Sequence, residues 1–220
     1  ERRRSGLGWR PRTWPLLGLA LVLPALYGAA VYLPVWASGA AGFDPGGWSR
    51  SVGGIAPLAA LGLLLTAGTL ISLTSALGEE IGWRGLLVPE LAKLGSFRSV
   101  AIISGLIWTL YHVPLIIFAD YHGSGTPLWY SLACFFPMVM AIAVVMAWLR
   151  LKSDSLWPPA LLHAAHNLII QGVFDSATRH GPWSGYLTGE FGIGLVLAIG
   201  ITAWALCKRG GVPVTAAESE

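Results

Sequence analysis

The chain alternates between long apolar stretches and short polar connections. These stretches predict six membrane-spanning helices, at residues 14–37, 55–88, 98–119, 128–149, 156–174 and 189–207. Several of the stretches reach the roughly 20 apolar residues that a helix needs to cross the hydrocarbon core of a bilayer. The pattern therefore predicts an all-α fold, a polytopic transmembrane helical bundle of about six to eight membrane helices.

The second stretch is too long for one simple crossing of the membrane. Its tail, GWRGLLVPELAKLG, is predicted to be amphipathic or interfacial, and Pro89 is placed to bend the chain there. The sequence contains no internal repeat and no low-complexity linker. We therefore expect residues 1–220 to form a single transmembrane domain, with a basic cytoplasmic tail at 1–13 and a flexible tail at 208–220.

Composition narrows the class of protein further. Hydrophobic residues make up 55% of the chain and charged residues only 11%, whereas a soluble domain carries roughly 25% charged residues. Cys134 and Cys207 both lie in apolar stretches, so no disulfide is expected. The basic pI of about 9.1 does not indicate a nucleic-acid partner, because the basic residues cluster at the ends of the apolar stretches. The lipid bilayer is the expected surroundings.

The distribution of lysine and arginine predicts the orientation in the membrane. With a cytoplasmic N-terminus, the inner segments hold 12 of the 14 basic residues, and the outer loops hold only Arg50 and Arg179. Cytoplasmic loops carry such an excess of basic residues. We therefore expect both termini in the cytoplasm, with a bacterial cytoplasmic membrane as the location.

Two carboxylates and a base follow the charge-free part of the second stretch, in the motif EEIGWR. Glu80 and Arg84 are four residues apart and share a helix face, which predicts an ion pair. Glu79 points about 100° away from Glu80 and is left to face something else. The alternative is an ordinary interfacial salt bridge near the lipid headgroups.

Histidines provide further polar groups within the apolar stretches. A lone histidine such as His112 is more often a packing residue than a catalyst. His163 and Asn167, however, share one helix face in HAAHN, with His166 on its shoulder. Counting residues from the helix ends brings Glu79, His112 and His163 to a similar depth on three helices.

This set of polar groups has two interpretations. Polar side chains on separate membrane helices can form an interhelical hydrogen-bond clamp. A carboxylate with several imidazoles can also polarise water or hold a metal, which is the composition that hydrolysis needs. Such groups would have to line a wet cavity, expected to open to the cytosol.

Three motifs in this order resemble the CPBP family of intramembrane proteases. EEIGWR fits its EExxxR motif, Trp108 and His112 fit an aromatic residue four before a histidine, and His163 and Asn167 fit a histidine four before an asparagine. The resemblance covers roughly residues 79–167, the expected catalytic region, and departs from the family where Trp108 replaces the common phenylalanine. The family includes CAAX-processing endopeptidases and bacterial proteins linked to bacteriocin self-immunity.

The resemblance implies a role for each matched residue. Glu79 is expected to activate water with the help of His112, and His163 and Asn167 to stabilise the oxyanion. Glu80 and Arg84 are expected to be structural. The implied function is an intramembrane endopeptidase of the CAAX type, which hydrolyses a peptide bond near the cytoplasmic side of the membrane. Its expected partner is a peptide or protein substrate that can itself be membrane-anchored.

The resemblance leaves the cofactor open. Glu79, His112 and His163 could bind zinc with an open position for water, which would make the protein a metalloprotease. The sequence has no HExxH motif, and asparagine is an unusual zinc ligand. Metal-free activation of water is the slightly preferred hypothesis.

Two other functions are alternatives to proteolysis. A non-proteolytic immunity or assembly factor of the same fold would have no need to keep all four polar groups. A proton-coupled transporter would usually show two repeated halves, which this chain lacks. His122, Asp175 and His180 were interpreted as ordinary polar loop residues.

Overall fold

The computed structural model describes residues 6–11, 13–119, 121–123, 125–211, 213 and 215. In this part of the chain, eight helices are joined by short connections that include two strands. In chain order, the elements are α1 (Trp14–Ala37), β1 (Gly42–Phe43), α2 (Gly46–Ser51), α3 (Pro57–Leu91), α4 (Phe97–Phe118), α5 (Leu128–Ser153), α6 (Trp157–His166, continued by a π-helix over Asn167–Asp175), β2 (Thr178–Arg179), α7 (Ser184–Leu187) and α8 (Ile193–Gly210). The predicted all-α fold is confirmed.

The long helices agree with the predicted membrane spans. Four of them, α1, α3, α4 and α5, are long and apolar enough to cross a membrane. Helices α6 and α8 occupy the last two predicted spans, although α8 begins at Ile193 and not at 189. The chain at Gly189 has a φ of 73°, outside the right-handed helical region.

The predicted tails also differ from the structure. Helix α8 continues to Gly210, so the expected flexible tail at 208–220 begins too early. Residues 212, 214 and 216–220 of that tail lie outside the described residues. Residues 1–5 and 12 of the expected basic tail also lie outside them.

Helix α5 forms the centre of the bundle, and α3 lies at its edge. In the most apolar window of each helix, 61% of α5 is buried within the protein, against 6% of α3. Met138, Ile142 and Met146 of α5 are almost fully buried and belong to the main apolar cluster. The apolar outer face of α3 is therefore available to lipid, as expected for a helix in a bilayer.

Helix α3 changes its hydrogen-bond pattern twice along its length. π-Helical turns at Leu64–Gly68 and Ile81–Leu87 flank the α-helical part Thr69–Glu80. Such turns are rare and are frequent at functional sites. The second one begins directly after Glu80, and the helix then passes Pro89 and ends at Leu91. Residues 82–91 of the predicted tail thus continue the helix, and its interfacial position stays a prediction.

The two ends of the described chain lie at the same end of the bundle. The Leu156 amide donates to the Gly8 carbonyl (2.8 Å), and the Trp157 indole donates to the Trp9 carbonyl (2.7 Å). The Trp148 indole donates to the Gly211 carbonyl (2.8 Å). This arrangement agrees with an even number of crossings, and the cytoplasmic location of that end stays a prediction.

At the other end of the bundle, the connection after α1 packs against the connection after α6. Strands β1 and β2 pair antiparallel, with Gly42 opposite Arg179. Helix α2 approaches so closely that a Cβ atom on Gly47 would lie 1.6 Å from the Ser176 carbonyl oxygen. Only glycine fits this contact.

Replacing Gly47 with alanine should therefore destabilise the protein by about 1–3 kcal/mol, the usual cost of overpacking a close contact. The opposing atom belongs to the backbone, which the neighbouring strand pair holds in place. The measurement is the midpoint of thermal unfolding in detergent. Gly62→Ala is the matched control, because a Cβ there meets no atom within 4 Å. Equal midpoints for the two variants would contradict the prediction.

Candidate active site

A cavity of about 290 Å³ lies among α3, α4, α5, α6 and the segment before α8. One wall is apolar and is formed mainly by α5. The polar or titratable lining residues are Glu79, Trp108, His112, Tyr121, His163, His166, Asn167, Gln171 and Glu190. The structure thus brings all four predicted catalytic residues to one cavity, from three different helices.

Glu79 is half-buried on the wall of the cavity, in the last turn before the second π-helical segment of α3. Its Oε2 accepts hydrogen bonds from two indoles, Trp83 Nε1 at 3.3 Å and Trp108 Nε1 at 3.2 Å. Oε1 has no hydrogen-bond partner in the described part of the chain. The carboxylate is therefore held through a single oxygen.

The predicted ion pair between Glu80 and Arg84 is present. Arg84 Nη1 lies 2.7 Å from Glu80 Oε1, and the two side chains are 1% and 0% exposed. The guanidinium also lies over the Trp108 ring, with its carbon 4.1 Å from the ring centre, a favourable cation–π geometry. Neither side chain lines the cavity, so the two neighbouring acids point to different surroundings as the helical angles predict.

His163 connects the ion pair to the cavity. Its Nδ1 lies 2.9 Å from Glu80 Oε1. Because a carboxylate oxygen only accepts hydrogen bonds, Nδ1 carries a hydrogen, and Nε2 remains for a contact inside the cavity. Sequence reasoning paired Glu80 with Arg84 alone, whereas the structure shows that Glu80 also holds His163.

His112 is held by the backbone of its own helix. Its Nδ1 lies 2.9 Å from the Trp108 carbonyl oxygen. A carbonyl also only accepts, so this nitrogen carries a hydrogen and Nε2 is the remaining one. Trp108 therefore contacts Glu79 with its side chain and His112 with its backbone.

Sequence reasoning missed Glu190, which lies just before α8. Both nitrogens of His166 are engaged, Nδ1 with the Tyr27 hydroxyl (2.6 Å) and Nε2 with Glu190 Oε1 (3.1 Å). Tyr121 donates to the other oxygen of Glu190. Burial, together with the charge of Glu190, raises the pKa of Tyr121, which keeps the phenol protonated as a donor. An acid at the start of an apolar stretch was the available signal.

The residues interpreted as ordinary loop polars do not all fit that description. Asp175 is the last residue of α6 and accepts a hydrogen bond from Tyr32. With His122 and His180 it lines a second cavity of about 280 Å³. The two cavities share Tyr121, Gln171 and Glu190 in their linings. The polar lining thus extends from Glu79 toward the end of the bundle that carries β1 and β2.

The metal site considered from the sequence is not formed. Among the residues that the structure describes, no three His, Cys, Asp or Glu side chains are grouped so that they could hold a metal ion. Glu79, His112 and His163 line one cavity but do not meet as a ligand set. The metalloprotease interpretation is therefore not supported.

A family of known proteins resembles the chain over half of its length. The family model described as type II CAAX prenyl endopeptidase Rce1-like matches residues 60–169, which include all four predicted catalytic residues. CAAX prenyl protease 2 of Methanococcus maripaludis is 32% identical over 84 residues, 37% of this chain. That match spans 31% of the relative's own length. No solved structure matches the chain significantly.

Proposed function

Because the chain belongs to the Rce1-like family of type II CAAX prenyl endopeptidases, we propose that it is an intramembrane endopeptidase in which Glu79 and His112 activate water. The scissile peptide bond lies near the cytoplasmic side of the membrane. The observation that carries the proposal is the shared cavity, where Glu79, His112, His163 and Asn167 converge from three helices. The family itself supports a protease that acts on a peptide or protein in a lipid environment.

Each side chain has a role that its hydrogen bonds permit. Glu79 takes a proton from water at Oε1, the oxygen that the indoles leave without a partner. His112 is fixed through Nδ1. Its Nε2 accepts a hydrogen bond from the other hydrogen of the water and so orients the water molecule. A base and an orienting group of this kind typically accelerate proton transfer by about 10²–10⁴-fold.

The activated water then attacks the peptide carbonyl, whose oxygen becomes negatively charged. The Asn167 amide donates to this oxyanion. His163 stabilises the same oxygen from the Nε2 side of its ring, and Glu80 holds the ring in place through Nδ1. When the carbon–nitrogen bond breaks, Glu79 returns its proton to the leaving amine. The products are an amine and a carboxylic acid, which then loses its proton to the surrounding water, and Glu79 is ready for another turnover.

The proposal is tested with protein purified in detergent and peptides that end in a CAAX-type tail, each with and without a prenyl group. New termini identified by mass spectrometry are the expected result. Cleavage of only one of the two peptide forms would also establish whether prenylation is required. Binding of the peptides without any cleavage, unchanged in Glu79→Gln, would overturn the proposal in favour of a non-proteolytic factor.

Replacing Asn167 with alanine should lower kcat by about 10²-fold, because removal of one oxyanion donor typically costs 10²–10³-fold. Asn167 is half-buried on the cavity wall, so the truncated side chain leaves folding largely unaffected. The measurement is steady-state kinetics on a cleaved peptide.

Gln171→Ala is the matched control for Asn167→Ala. Gln171 lines the same cavity one helical turn further along α6, but its amide lies 3.4 Å from the Tyr121 hydroxyl. It is expected to change kcat by less than about threefold. Equal losses in the two variants would contradict the role of Asn167.

A further inference from the structure

Two indoles converge on one oxygen of Glu79. Trp83 comes from the next turn of the same helix, and Trp108 comes from α4. The terminal torsion of a glutamate side chain is broad, so a free carboxylate rotates easily. Donors fixed on two different helices restrict that rotation.

Trp108 is itself held firmly in place. Its side chain is 5% exposed, and the Arg84 guanidinium covers its ring. Its ring centre lies 5.3 Å from that of His163, in an edge-on arrangement. The indole N–H is therefore a preorganised donor and not a side chain that adapts to Glu79.

The chemistry of the indole distinguishes this chain from the motif that it resembles. Phenylalanine, common at the position of Trp108, keeps an aromatic ring for Arg84 and a backbone carbonyl for His112. It has no N–H group and cannot donate to a carboxylate. The hydrogen bond to Glu79 Oε2 is thus a property of tryptophan at this position.

We infer that Trp108 is a positioning residue of the site: with Trp83, it occupies Oε2 of Glu79 and so presents Oε1 to the water in the cavity. The catalytic consequence rests on the proposed function, whereas the hydrogen bond can be tested without it. Small misplacements of a catalytic group cost about 10²-fold or less in rate, and one of the two donors remains when Trp108 is replaced.

Trp108→Phe should therefore lower kcat by about tenfold and leave KM within about twofold. Trp148→Phe is the matched control. Trp148 is also 5% exposed, donates its indole N–H to a carbonyl and lies beside a cation, Lys152, but it does not line the cavity. It should lower the unfolding temperature and leave kcat unchanged. An unchanged kcat in Trp108→Phe, with Glu79→Ala inactive, would overturn the inference and leave the proposed function intact.

A thermal cycle tests the bond independently of activity. The shift in unfolding temperature caused by Trp108→Phe is measured in the wild-type background and again in Glu79→Ala, which lacks the acceptor. A smaller shift is expected in Glu79→Ala, because the hydrogen bond that Trp108→Phe removes is already absent there. The effects of two substitutions on stability do not add when the residues are in contact. Equal shifts in the two backgrounds would overturn the inference. If the wild type cleaves no peptide, the proposed function fails, and this cycle still decides whether Trp108 holds Glu79.

Discussion

Replacing Glu79 with glutamine should abolish peptide cleavage, with a loss of at least about 10³-fold in kcat, at the upper end of what a general base contributes. Glutamine has the same shape, and its amide oxygen can still accept from Trp83 and Trp108. It cannot take a proton from water. The measurement is kcat on a cleaved peptide, together with the unfolding temperature, which should stay near that of the wild type.

Glu90→Gln is the control for this substitution. Glu90 lies further along the same helix, in an ion pair with Lys93 in which both side chains are 54% exposed. Removing its charge should leave kcat unchanged. Activity near the wild-type level in Glu79→Gln would show that another group is the base, and the assignment of Glu79 would be wrong.

Replacing Arg84 with methionine should cost about 3–5 kcal/mol of folding free energy, the typical result of breaking a buried ion pair from one side. Methionine fills a similar volume without charge. It leaves Glu80 fully buried with His163 as its remaining partner, and it removes the cation from the Trp108 ring. Unfolding by denaturant or heat in detergent measures the loss.

Two further variants separate this effect from a general loss of charge. Lys93→Met breaks an exposed pair and should cost less than about 1 kcal/mol. Adding Glu80→Gln to Arg84→Met should recover part of the lost stability, because the buried charge that lost its arginine is then removed. No recovery in the double variant would mean that the charge of Glu80 is not the cause.

The local geometry of the EEIGWR motif was predictable because it depends only on helix periodicity. Glu80 and Arg84 share a face at a spacing of four, and the ion pair follows from that. The contact between Glu80 and His163 was not predictable, because it joins residues 83 positions apart. The π-helical turns that begin after Glu80 and at Asn167 leave no clear mark in the hydrophobic pattern.

The polar group around His166 shows a second limit of the sequence. Glu190 lies inside the predicted span 189–207, yet it was not included among the polar groups within the apolar stretches. In the structure it precedes the helix and meets α1 and α6 through His166 and Tyr27. Hydropathy locates a span but does not determine which polar residue at its border turns inward.

The wall shared by the two cavities is built from three separate parts of the chain. Tyr121, Gln171 and Glu190 separate the chamber of Glu79 from the chamber near the strand pair. The hydrogen bond from Tyr121 to Glu190 ties two of these parts together across the wall. A change at this contact would therefore alter the shape of both cavities at once.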